Sequence, residues 1–129
     1  MEKDFDNWSI LKQRIDGKEI GPAFKQRDVW WCHLGANIGD EENGKGKVSS
    51  RPILIIRKFN NRIFWGVPLT TQIKEKPYYK KIHFKDKEQC VMLSQLRLWD
   101  SKRLTTKMGR LTGNQFEEIR KILSETILG

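Results

Sequence analysis

Cysteine is nearly absent from this chain. Cys32 and Cys90 stand alone, with no companion at a metal-binding spacing. A disulfide-stapled scaffold and a zinc-finger pattern are therefore excluded. Histidine is as scarce, and neither His33 nor His83 has a Cys, Ser or carboxylate at a spacing that suggests nucleophilic or metal chemistry. No apolar run approaches the roughly 20 residues that cross a bilayer. The opening MEKDFDNW carries acids where a signal peptide needs a basic and then an apolar stretch. These absences lead us to expect a reduced, cytoplasmic protein with no membrane segment. Acids are also in deficit, 16 Asp plus Glu against 25 Lys plus Arg, for a net charge of +9. The one acidic cluster, Asp40, Glu41 and Glu42, lies in a glycine-rich stretch, so neither a metal nor a cofactor is expected.

What is present is a basic chain of 129 residues, enough for one core and a surface suited to polyanions or acidic partners. Phe5, Trp8, Leu11 and Ile15 recur at near-helical spacing and predict an amphipathic helix that Gly17 ends. It packs on the domain or binds a partner. A polar connector follows, so the division is 1–25 as helix and connector and 26–129 as the main domain. Asp28 to Leu34 alternates as a strand, and residues 35–50, with four glycines, predict a mobile loop. Further strands are expected at Tyr79–Lys85, Cys90–Leu93 and Thr106–Leu111, with Asp100 capping one helical turn through Leu104. Thr112 and Gln115 form a capping box ahead of Phe116, Ile119, Ile122, Leu123 and Ile127, which predict a terminal helix. Short strands at close intervals, with helices near both ends, predict a mainly β, α+β domain: a small curled antiparallel barrel.

The organising stretch is RPILIIRKFNNRIFWGVPLT, residues 51–70. Ile53 to Ile56 is a continuous apolar run that suits a strand covered on both faces. Asn60 and Asn61 predict the turn through their tolerance of positive φ, and Ile63 to Leu69 returns. Antiparallel pairing then sets Arg51 on the same rim as Thr70 and Thr71. A guanidinium matches phosphate geometry, and a threonine hydroxyl can bond the same oxygens. Further along, SQLRLWD adds Gln95, Arg97 and Asp100 at a bend. Gln95 can read a base edge, whereas Arg97 and Asp100 pair with each other or Asp100 caps the next turn. Trp65 and Trp99 serve either as core or as stacking platforms for unpaired bases.

In order along the chain, RDVWWCHLGANIGDE, SRPILII, GVPLTTQ, VMLSQLRLWDSKRL and KMGRL together resemble the MazF/PemK family of toxin endoribonucleases, over roughly residues 26–127. The resemblance implies an SH3-like barrel, a homodimer, and metal-independent cleavage of single-stranded RNA. It also implies a cognate antitoxin whose acidic segment occupies the RNA groove. By that likeness Arg51 and Thr70 are the catalytic pair. Gln95, Thr71, Arg97, Trp65 and, in the loop, Asp40 and Glu41 are the candidate RNA contacts. Some plasmid-borne members carry His at the position of Asp40, and Arg and Asp at those of Met92 and Ser94, so their acid–base assignments do not transfer. The alternatives are a same-fold toxin that binds protein, like the gyrase poison CcdB, and a basic RNA-binding barrel without chemistry.

Overall fold

The computed structural model describes residues 21–34 and 50–128. The expected N-terminal helix and the loop carrying Asp40 and Glu41 lie outside them. Among the described residues are seven strands: β1 (Asp28–His33), β2 (Ser50–Lys58), β3 (Ile63–Thr70), β4 (Tyr79–Phe84), β5 (Lys87–Met92), β6 (Arg97–Asp100) and β7 (Leu104–Arg110). Helix α1 (Gly113–Leu128) follows, and short 3₁₀ turns span Leu93–Gln95 and Ser101–Arg103. The hydrogen-bonded order is β4-β5-β3-β2-β1-β7, with β6 pairing β3. Among the described residues, no helix is long and apolar enough to cross a membrane.

The apolar run of β2 behaves as its composition requires. Leu54 enters one core cluster with Val29, Val67, Leu69 and the α1 residues Phe116, Ile119 and Leu123. Ile53 and Ile55 enter a second cluster on the other face, with Trp30, Phe64, Trp99 and Leu104. Ile53, Leu54 and Ile55 are all fully buried, and each such side chain contributes about 1.5–3 kcal/mol. Phe24, within the expected connector, is also buried there, its ring centroid 5.0 Å from that of Phe64.

The turns show where residue chemistry acted differently from expectation. Asn60 works as an acceptor: its Oδ1 takes the N–H groups of Arg62 (2.7 Å) and Ile63 (2.9 Å). Positive φ among described non-glycine residues occurs instead at Arg27, Lys85 and Asp86. Lys85 and Asp86 form the two-residue β4–β5 hairpin loop, where positive φ at both central positions marks a type I′ turn. Pro68 sits inside β3. It is tolerated there because β3 pairs β6 through Ile63–Gly66 and β5 through Leu69–Thr70, leaving no second-edge partner between them.

The expected mainly antiparallel sheet with a terminal helix is present, but among the described residues the sheet does not close into a barrel, its order ending at β4 and β7. The free edge of β4 is engaged by a side chain instead. Gln115 Oε1 accepts the His83 N–H (3.1 Å), and its Nε2 donates to the His83 carbonyl (3.3 Å). Phe84 fills the remaining gap, its Cζ lying 3.2 Å from where a Cβ on Gly109 would stand. The capping box is consequently half of what was expected. Thr112 Oγ1 accepts both the Gln115 N–H and its Nε2, each at 3.3 Å, while the Gln115 amide oxygen turns to β4 rather than back to the Thr112 backbone. Ile127 also departs from the expected stripe, being 53% exposed.

Candidate functional site

Antiparallel pairing of β2 and β3 sets Ile53 opposite Pro68. Continuing that register by two residues sets Arg51 opposite Thr70. Both line a cleft of about 240 Å³ with Trp31, Ser50, Thr71 and Gln89. On its other side Arg51 borders a groove of about 710 Å³ with Gln95, Arg97 and Trp99. The hairpin supplies Arg51, Thr70 and Thr71, and the segment leaving β5 supplies Gln95 and Arg97.

Arg51 is exposed, and its Nη1 lies 4.0 Å from Met92 Sδ. Gln95 Nε2 approaches the same sulfur at 3.8 Å. A thioether is a weak acceptor without charge, so Met92 orients both groups and neutralises neither. Among the described residues, no carboxylate pairs with Arg51. Thr70 Oγ1 accepts the Gln72 N–H at 3.2 Å, which fixes the hydroxyl and leaves its own proton free to donate. Arg97 stacks 4.4 Å over the Trp99 ring, which makes Trp99 a buried platform for the guanidinium. Asp100 takes the capping role, accepting the Lys102 N–H at 2.9 Å and pairing with Arg62 at 4.0 Å.

Trp65 is not brought to this rim. It shares strand parity with Val67 and Leu69, which face α1. It therefore lines a different groove, with Ile56, Arg57 and Leu123, edge-on to Phe59 at 6.2 Å. Trp31 and Gln89 border the site without having been singled out in the sequence, and Met92, noted there only as a departure from other members, borders it too. Adjacent Trp30 and Trp31 on one strand had to alternate faces, which was the available signal for Trp31. Gln89 is a buried amide that donates to the Phe84 carbonyl at 3.3 Å.

Cys32 pairs with Arg51 across β1 and β2. Burial pushes its thiol up to about 12, with Arg103 partly opposing, so it stays protonated and is no nucleophile at neutral pH. Among the described residues lining the cleft and the groove there is no histidine and no carboxylate. What the arrangement offers is donors: a charged fork, a hydroxyl, an amide and a second guanidinium around one rim. That set suits an anion whose charge grows.

The sequence matches the model of the PemK-like, MazF-like toxins of type II toxin–antitoxin systems over residues 25–127, most of the chain. This chain belongs to the PemK/MazF toxin family. Its structure is similar to an endoribonuclease in complex with its cognate antitoxin from a Mycobacterial species. That match has a TM-score of 0.60 and 19% identity, covering 83% of this chain and 95% of that one. It is also similar to MazF from Deinococcus radiodurans, with a TM-score of 0.64, 14% identity, and coverage of 84% and 99%. The MazE–MazF structure from the same organism matches at a TM-score of 0.62 and 14% identity, covering 82% of this chain and 96% of that one. At these identities the likeness concerns the fold. Comparison with proteins of curated function gives no match.

Proposed function

We propose that this PemK/MazF-family chain is a toxin endoribonuclease that cuts single-stranded RNA without a metal, using the RNA's own 2′-hydroxyl as nucleophile. The observation that carries the reading is Arg51: an exposed guanidinium with no carboxylate partner among the described residues, opposite the Thr70 hydroxyl. Attack by the 2′-oxygen forms its bond to phosphorus as the bond to the 5′-oxygen breaks; the 2′ proton passes to water and the departing 5′-oxygen takes one from water, giving a 2′,3′-cyclic phosphate and a 5′-hydroxyl. Charge accumulates on the non-bridging oxygens. Arg51 neutralises it with a bidentate fork, and Thr70 adds a hydrogen bond that strengthens as charge grows. Gln95 and Arg97, across the same guanidinium, hold the flanking nucleotides. Thr71 extends the hydroxyl edge.

In this reading the substrate is cytoplasmic mRNA, the protein works as a homodimer, and an acidic segment of a cognate antitoxin occupies the Arg51 groove. The support for the antitoxin is the family itself and the uncompensated basic rim. Incubating purified protein with a long single-stranded RNA in EDTA tests the reading. Discrete cleavage by the native chain and none by Arg51→Ala is expected; intact RNA with the native chain would overturn it.

A further inference from the structure

A second basic pocket lies beside the first, and nothing in the mechanism above uses it. His33, Lys102, Arg103 and Thr105 enclose about 300 Å³. We propose that this pocket is a phosphate subsite that holds a second backbone phosphate of the RNA strand bound at Arg51. The proposal rests on the RNA reading given above and extends the site by one anchoring point.

Topology places the two pockets on one rim. Strand β1 lies between β2 and β7, so Cys32 pairs with Arg51 on one side and with Leu104 on the other. Neighbouring strands are about 4.8 Å apart, which sets Leu104 about 10 Å from Arg51. The pockets are joined through Trp31. Its side chain borders the Arg51–Thr70 cleft, and its carbonyl accepts the Thr105 hydroxyl at 3.0 Å. The charge of Arg103 is felt at the Cys32 thiol, so the guanidinium acts toward β1.

The lining chemistry selects an anion. Lys102 is exposed, and among the described residues neither Lys102 nor Arg103 pairs with a carboxylate. Asp100, two residues before Lys102, is engaged by the Lys102 backbone N–H and by Arg62. No lining side chain is aliphatic, unlike the groove under Trp65. A phosphate finds a point charge and a planar fork here, while the Thr105 hydroxyl, donated to the Trp31 carbonyl, ties the pocket to β1.

The test uses a single-stranded RNA carrying one 2′-deoxy nucleotide at the cut, and a set of the same RNAs with one neutral methylphosphonate at each position in turn. Binding is measured over a range of salt for the native chain, Lys102→Ala and Lys102→Ala/Arg103→Ala. Thermal melts report folding, and Lys102→Glu replaces the double variant if that one does not fold. One methylphosphonate near the cut should cost the native chain about tenfold in affinity. The same substitution should cost the double variant nothing further. The slope of log affinity against log salt should fall by about 0.7, the value for one lost phosphate contact on a single strand. Native affinity and slope in the double variant, or the same full set of methylphosphonate penalties there as in the native chain, would overturn the subsite. So would unchanged RNA binding accompanied by lost affinity for a poly-glutamate peptide, which would assign the pocket to an acidic protein segment. A native chain that cuts RNA while the double variant binds like it would refute the subsite alone. A native chain that binds RNA with the expected penalties yet never cuts would refute only the catalytic reading. No RNA binding by the native chain would refute both.

Discussion

Replacing Thr70 by alanine isolates one hydrogen bond in the proposed transition state. The hydroxyl is half-buried at the end of β3, and its oxygen already accepts the Gln72 N–H at 3.2 Å. That bond leaves the hydroxyl proton free to donate. Removing one such preorganised donor typically lowers the rate by about 100- to 1000-fold, about 2.7–4 kcal/mol of barrier. The effect on folding should be much smaller. The Gln72 N–H is at an exposed position, where water replaces the lost acceptor, so the cost is about 0.5–1 kcal/mol or less. The assay is single-turnover cleavage of a labelled RNA at saturating protein, with the dissociation constant measured separately on a non-cleavable analogue. We expect the rate constant to collapse, affinity to change by less than about threefold, and Thr70→Ser to recover most of the activity, because serine keeps the donor. Thr70→Ala cutting within about tenfold of the native rate, or Thr70→Ser as inactive as Thr70→Ala while folded, would refute the role given to this hydroxyl.

Other outcomes follow from the same geometry. Arg51→Lys keeps the charge but loses the planar fork, so binding should fall modestly and cleavage severely in the same assay, whereas Arg51→Ala should impair both. His83→Ala should leave cleavage near native, because Gln115 grips only the His83 backbone; an inactive but folded variant would relocate the site. Gly66→Ala would place a Cβ 2.6 Å from Ile53 Cγ2 and 3.1 Å from Trp99 Cδ1. A loss of about 1–3 kcal/mol is expected in a urea titration. Because burial raises the Cys32 thiol from 9.0 to about 12, its contribution to stability is whole below pH 9 and is lost as pH rises from 9 towards 12. Lysines and tyrosines titrate over that range in both proteins, so the stability of the native chain relative to Cys32→Ala, followed by denaturation midpoints, should fall as pH rises from 9.

Much of this was legible because one stretch combined period, turn and polar ends. The two-faced burial of Ile53, Leu54 and Ile55 followed from an unbroken apolar run, and the run fixed where Arg51 and Thr70 must meet. The terminal helix was legible through Thr112 and the Phe116, Ile119, Leu123 stripe. What was hidden depended on tertiary partners. The type I′ loop uses Lys85 and Asp86, which lack the Asn-Gly signature of such turns. Strand β6 is only four residues, Arg97–Asp100, and borrows its ladder from β3, so its sequence looked like a bend. The edge of β4 was hidden because Gln115 announces a cap and, besides bonding Thr112, also binds that strand. Trp65 looked equivalent to Trp99 until strand parity separated them onto opposite faces. Met92 carried no polar signal, yet it touches both Arg51 and Gln95.

The central claim is that the nucleophile belongs to the RNA and that this chain supplies charge and hydrogen bonds. Its most direct measurement compares two RNAs, identical except for one 2′-deoxy nucleotide immediately 5′ of the cut, with the native protein in EDTA. The account predicts that both bind equally, that only the all-ribose strand is cleaved, and that its upstream product ends in a 2′,3′-cyclic phosphate. Efficient cleavage of the deoxy-substituted strand, or cleavage of the ribose strand only after magnesium is restored, would contradict it.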